Sequence, residues 1–367
     1  MKTATVPAPS RTALAAAAAM SLAAFTAAPA LAQGTATIGG VADTAVRSVS
    51  NEGLGSVKSA VSGSNATSRL VVRGSEDLGG GLSASFHLEH GFALDTGNPT
   101  GGFWDRRSTV SLASKAAGEL RLGRDYVPSY IGWSRFDPFS HVGVAGSNNF
   151  GGSGAQGPIR AAFGTTANST VRASNSVGYF LPGGLGGFEG QLMVAAGEGA
   201  TSANGGHKVI AGRFGWAGGP LAVSVARTET ETDLTVSGTF TDTAIGGTYN
   251  VGPGRVHVAW RQFKYFTAKQ SNLMLAGTYR LGAYELKASV LEADMAGRVG
   301  ATVIDANDAR QIGLGVVYNL SKRTALYGTF SSIDNEGAAT FAVPGGPAGL
   351  AGGKSSKGYE LGVRHNF

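Results

Sequence analysis

The chain has 367 residues, 30 basic and 24 acidic, for a net charge of +6, and contains no cysteine. So mild and unclustered a charge excludes a nucleic-acid binder, and the absence of cysteine excludes a disulfide framework or a thiolate metal site. Glycine occupies 58 positions, and past the N-terminus no run approaches the roughly 20 apolar residues of a membrane-spanning helix.

At the N-terminus, Lys2 and Arg11 precede the uncharged stretch "TALAAAAAMSLAAFTAA", and Ala30, Leu31 and Ala32 then precede Gln33. A basic region, an apolar region and a small-residue site predict a cleaved secretory signal peptide over 1–32. The mature chain would be 33–367, with a balance of +4, since the leader carries two basic residues and no acids.

From there the amphipathic period is two. In "LSASFHLEH", Leu82, Ala84, Phe86 and Leu88 share one face, while Ser83, Ser85, His87 and Glu89 share the other. This alternation marks strands with one apolar and one polar face. It recurs over 67–73, 175–181, 221–226, 256–260, 272–279, 283–291 and 310–320. Short turn-like connections (76–81, 114–119, 181–187, 216–220, 252–254, 281–283, 320–323) separate these strands from longer Gly/Ser/Asn/Thr-rich ones at 48–66, 93–104, 127–168, 198–206, 292–308 and 333–355. "RTETETD" (227–233) reads as a solvated rim loop, and a fifth long connection is hard to delimit.

Alternation of short and long connections is the pattern of an outer-membrane barrel. The hairpins predict a single all-β domain, a 16-stranded antiparallel transmembrane β-barrel over 33–367. A secreted sandwich also alternates along its strands, but has no reason to segregate its connections by length. The last strand, "YELGVRHNF", places Tyr359, Leu361, Val363 and Phe367 on one face, and is expected to close the barrel against 35–46. Tyr279, Tyr318 and Tyr327 read as interfacial girdle residues.

Other chemistry finds little support. His87 and Glu89 share the lumen face, but no third ligand at metal spacing accompanies them. No G-x-S-x-G elbow or helical pattern supports a hydrolase, and the glycines of 143–152 lack the strand–turn–helix of a phosphate loop. No cofactor is expected.

At this point the chain resembles the Gram-negative general porins, particularly the anion-selective type. The resemblance rests on "SRLVVRGSEDLGGGL" (68–82), "RRSTVSL" (106–112), "LRLGRDYVP" (120–128), "NSVGYFLPGGLGGF" (175–188), "LSKRTALYG" (320–328) and "GVRHNF" (362–367). It implies a homotrimer in outer-membrane lipid and a third loop, here 127–168, folded into the lumen. It also implies that the C-terminal Phe367, on the strand carrying Tyr359, Leu361 and Val363, is read by the outer-membrane barrel assembly machinery. The activity implied is passive diffusion of small hydrophilic solutes and anions. A substrate-specific channel for a dicarboxylate or phosphate compound, or a barrel enzyme or adhesin, are the alternatives.

The third loop makes its own statement on selectivity. Across 135–164, Asp137 is the only carboxylate, while Arg135 and Arg160 are basic. Anion-preferring pores line a constriction with Arg and Lys, cation-preferring ones with Asp and Glu. Opposite the loop, the resemblance places wall arginines at Arg69, Arg106 and Arg172. Parity turns Arg69 and Arg172 toward the lumen. Arg106 and Arg124 share parity with lipid-facing residues, so each needs a bulge or a strand start to turn inward. These arginines could instead simply pair with lumen carboxylates, for which Asp43, Glu89 and Glu285 have the right parity.

Overall fold

The computed structural model describes residues 34–152, 154–197 and 207–367. The expected leader, 1–32, lies outside them. Strands run in chain order as β1 (Thr35–Asn51), β2 (Gly55–Ser62), β3 (Arg69–Gly79), β4 (Leu82–Gly91), β5 (Arg107–Ser114), β6 (Gly118–Tyr126), β7 (Arg172–Phe180) and β8 (Phe188–Ala195). The second half holds β9 (Lys208–Gly218), β10 (Leu221–Thr232), β11 (Gly238–Val251), β12 (Gly254–Tyr265), β13 (Ala268–Leu281) and β14 (Tyr284–Ala296). A two-stranded ribbon, β15 (Arg298–Val299) and β16 (Thr302–Val303), precedes β17 (Ala309–Asn319), β18 (Thr324–Asn335) and β19 (Ser356–Asn366).

From β3 to β14 each strand pairs antiparallel with the next, β14 pairs with β17, β17 with β18 and β18 with β19, and β19 pairs with β1 from Val41↔Asn366 to Asn51↔Ser356. β2 and β3 together form one wall position: the upper half of β1 pairs with β2 and the lower half with β3. The result is a closed 16-stranded antiparallel barrel. Closure matters because a sheet edge in hydrocarbon would leave backbone N–H and C=O groups without partners.

Outward positions carry Val223, Val225, Leu273, Leu275, Leu314 and Leu361, all exposed on the isolated chain. The alternate residues point inward. Tyr284 and Tyr318 stack at 4.7 Å near the rim of short turns, the place of an interfacial girdle. Tyr279 is exposed there too. Tyr327 corrects its expected girdle role: it is 4% exposed, and its hydroxyl donates to Asp43 Oδ1 at 2.6 Å. It reaches β1 across Gly362, where a Cβ would lie 2.4 Å from the tyrosine ring.

Asp43 organises the break between β2 and β3. Its carboxylate accepts the backbone N–H groups of Ser64, Asn65 and Ala66 at 2.8–3.1 Å. Three successive N–H groups around one carboxylate form an anion nest, so this buried acid is satisfied without an arginine.

Three outer connections differ from the expected pattern. The segment 48–66 is not a long loop: β1 continues to Asn51, turns over 52–54 and returns as β2. The charged run 227–233 is strand up to Thr232, with Thr228, Thr230 and Thr232 buried inside and Arg227, Glu229 and Glu231 outside. The connections at 233–237 and 266–267 are short. Composition misleads here because outward charge on an upper strand rim resembles solvated loop.

The closing strand keeps its last residue. Gly40 N–H donates to the Phe367 carbonyl at 3.0 Å, and Phe367 N–H donates back at 3.1 Å. A Cβ on Gly40 would lie 2.6 Å from the Phe367 ring, so the glycine makes room for the aromatic.

Candidate functional site: the pore constriction

The connection from β6 to β7 enters the barrel. It carries helix α1 (Pro128–Ser134), a short 3-10 turn (Ser147–Phe150) and helix α2 (Gly157–Phe163), with proline opening both helices. Trp133, Phe136, Val144 and Phe150 of the loop share one buried cluster with Ala244, Met274, Leu291 and Ile333 of the wall. Wall glycines serve as sockets. A Cβ on Gly246 would lie 2.5 Å from the Phe136 ring, and one on Gly315 would lie 2.8 Å from Phe139.

Polar wall side chains then fasten the loop backbone strand by strand. Asp242 of β11 accepts from the Ser129 hydroxyl at 2.7 Å, and Arg261 of β12 donates to the Thr170 carbonyl at 2.7 Å. Gln270 donates to the Phe150 carbonyl, Lys287 to Pro138 and Gln311 to Ala145, at 2.6–2.9 Å. On β19, Glu360 accepts from Val144 N–H at 3.3 Å while ion-paired to Arg47 at 2.8 Å. Sequence reasoning missed these residues. Their inward polar parity was visible, but a partner 91 or more positions away was not.

A second outer loop also turns inward. Phe341 of the 336–355 connection packs on Phe150 at 4.7 Å between ring centres, and Arg47 donates to the Pro344 carbonyl at 3.2 Å. Its return is tied to the first turn by Lys354 and Glu52, 2.8 Å apart.

With the loop packed from β8 round to β19, the remaining wall of the lumen is formed by β3 to β7. Glu89 and Tyr126 form its centre. Arg106 precedes β5, so strand parity does not govern it, and it turns inward to pair with Glu89. Arg69 Nε lies 3.6 Å from the same carboxylate, as does His87 Nε2. Arg106 and Arg172 both donate to the Tyr126 hydroxyl, at 3.1 and 3.0 Å. The Arg172 guanidinium also lies 4.5 Å over the tyrosine ring. Arg124 donates to the Asp105 carbonyl at 2.7 Å and to Ser174 at 2.8 Å.

Arg124 and Arg172 reach this cluster through an irregularity. The β6–β7 register shifts between Gly123 and Asp125, and Gly123 and Asn175 take positive φ. Strict alternation ends there, so the parity reasoning does not apply to Arg172, although its side chain still arrives. Of the three acids with lumen parity, Glu89 pairs with Arg69 and Arg106, Asp43 serves the nest, and Glu285 pairs with Lys287 at 3.5 Å.

The loop residues part ways. Asp137 is 6% exposed, and its carboxylate accepts the N–H groups of Phe139, His141 and Ser147 at 2.8–3.0 Å. It therefore acts as an internal staple of the loop rather than lining the lumen. Arg135 pairs with Glu189, which Arg213 also holds at 2.7 Å. Arg160 is exposed on α2, away from the Glu89 cluster. His141 is enclosed by Tyr130 and Ser147. Burial first, then the Arg261 and Arg172 charges, push its pKa down to about 3.

A family model for Gram-negative porins matches residues 13–338. The chain is a Gram-negative porin. As such it belongs to the outer membrane, and its relatives are channels rather than enzymes. This porin is 34% identical over 351 residues to outer membrane porin protein 32 of Delftia acidovorans, covering 92% of this chain and 95% of the relative. It also superposes on an anion-selective porin from Comamonas acidovorans with a TM-score of 0.77 and 33% identity, over 91% of this chain and 100% of that one. OmpT of Vibrio cholerae, solved in a trimer form, shares the fold at a TM-score of 0.61 and 16% identity, over 91% of this chain and 99% of that one.

Proposed function

We propose that this porin is an anion-preferring diffusion channel whose selectivity is set by Arg69, Arg106, Arg124 and Arg172. The observation that carries the reading is an imbalance of charge. Arg69 and Arg106 share one carboxylate, Glu89, Arg172 joins them through the Tyr126 hydroxyl and Arg124 is held beside them by Ser174, while the only acid of the facing segment, Asp137, is turned into its own loop. Guanidinium keeps its charge at any working pH. Low-dielectric walls concentrate the resulting field across a narrow lumen, raising the local concentration of anions.

Ion pairing with Glu89 and stacking on Tyr126 orient the arginines, which present remaining N–H groups to a passing carboxylate or phosphate. Binding must stay weak, because conduction requires each site to release what it attracts. The anion selectivity of the Comamonas acidovorans relative agrees with this reading. The variant Arg69→Gln/Arg172→Gln should lose most of the chloride preference while keeping its barrel; an unchanged preference would refute the assignment. The channel is proposed to work as a homotrimer, delivered by its leader over 1–32 and inserted through recognition of the Phe367 strand by the assembly machinery.

A further inference from the structure

Below the constriction, toward the short turns at 80–81 and 115–117, the wall carries a second polar construction. Cross-strand register aligns Thr35↔Ser75, Ser75↔Ser85, Ser85↔Ser111 and Ser111↔Arg121 into one continuous inward row. The row above it runs Thr37↔Arg73, Arg73↔His87 and His87↔Thr109. Together they line a concavity of about 380 Å³. That volume is in the range of small-molecule sites.

The basic ends of this shelf are held in place. Arg121 is paired with Glu119 and Asp125 at 2.8 Å each, and its guanidinium lies 4.0 Å over the Phe180 ring. Arg73 is partly tethered through Nε to the Thr37 hydroxyl at 3.3 Å. The lower row carries four hydroxyls in register, Thr35, Ser75, Ser85 and Ser111, each able to donate and to accept. The constriction above has guanidiniums but no such row. Three lining arginines, Arg73, Arg107 and Arg121, outnumber the lining acid Glu119, and with these hydroxyls they match a ligand with an anionic head and several hydroxyls, offering little extra to a bare inorganic anion.

We propose that this shelf is a binding station for small polyhydroxylated organic anions on the periplasmic side of the constriction. The head group sits on Arg121 or Arg73, and the ligand hydroxyls exchange hydrogen bonds with Ser85, Ser111 and their neighbours. Such a station favours hydroxylated acids over other anions that pass the same arginines. The proposal rests on the open-channel reading above.

The test uses the full-length porin in planar bilayers, with gluconate and hexanoate as probes of chloride current. The two share six carbons and a carboxylate, and differ in hydroxyls. Gluconate should halve the current at about a tenfold lower concentration than hexanoate, the effect of two net hydrogen bonds. In Ser85→Ala/Ser111→Ala that advantage should disappear, with the response to hexanoate and the chloride zero-current potential unchanged. Glucose 6-phosphate distinguishes the head groups. A block stronger than gluconate's that vanishes in the serine variant supports the station with phosphate as preferred head, and a weaker one supports it with carboxylate. Equal block by gluconate and hexanoate, or a gluconate block untouched by the serine variant, overturns the station. Should chloride preference persist in that case, the channel reading stands and the shelf alone fails.

Discussion

Arg172 lies with its guanidinium 4.5 Å above the ring of Tyr126 and donates to that ring's hydroxyl at 3.0 Å. The same hydroxyl receives Arg106, so one tyrosine holds two like charges in fixed positions across the lumen. Tyr126→Phe keeps the stacking surface but removes the shared oxygen. We expect chloride preference to weaken by less than twofold and stability to fall by about 1 kcal/mol, the net worth of a partly wet hydrogen bond. Reversal potential and thermal melting check the two halves of this expectation.

Gly246 predicts the size of the pore. A valine there would enter the space of the Phe136 ring, and overpacking of this kind costs roughly 1–3 kcal/mol. The loop relieves the clash by moving toward the open lumen. Gly246→Val should therefore lower single-channel conductance in a barrel that still assembles; conductance equal to wild type would show that the glycine is not a socket.

His141 makes the third loop sensitive to acid. Its folded pKa, about 3, lies below the ordinary histidine value of 6.5, so between these values the unfolded loop binds a proton that the folded loop does not. Stability from the neutral ring is complete above pH 6.5 and is lost progressively as pH falls toward 3. Amide exchange over 137–149 should accelerate as pH drops through this window, after correction for intrinsic rates. His141→Phe, which cannot titrate, should flatten that dependence.

The last residue is tested through its neighbour. Gly40→Val would meet the Arg69 carbonyl at 2.2 Å as well as the Phe367 ring at 2.6 Å, so both the β1–β3 pairing and the closing aromatic would have to shift. We expect reduced insertion in cells, comparable to that of a chain lacking Phe367. Normal yields of both variants would remove the closing aromatic from the assembly account.

Much of the fold was legible because a barrel wall repeats one rule. Alternation at Leu82–Glu89 and at Tyr359–Phe367 states which face meets lipid, and a closed sheet leaves each strand little freedom. The rule fails where backbone departs from it. Arg124 and Arg172 lie beside a register shift, Arg106 precedes its strand, and Tyr327 looks like a girdle residue until Gly362 is seen to open a path to Asp43. The inward fold of 336–355 was hidden for another reason: its glycines and prolines read as solvated loop, while the Phe341–Phe150 contact joins segments far apart in sequence. Asp137 was recognised as the lone acid of its loop, but its three backbone donors depend on a turn that composition does not reveal.

The proposed anion preference rests on Arg69 and Arg106 at Glu89, with Arg172 joined to them through Tyr126. The most direct test is the zero-current potential of the wild-type porin in a planar bilayer across a KCl gradient. The account predicts a potential of the sign set by chloride, moving toward zero in Arg69→Gln/Arg172→Gln. A potential of the sign set by potassium, or a chloride potential indifferent to the loss of both arginines, would contradict it.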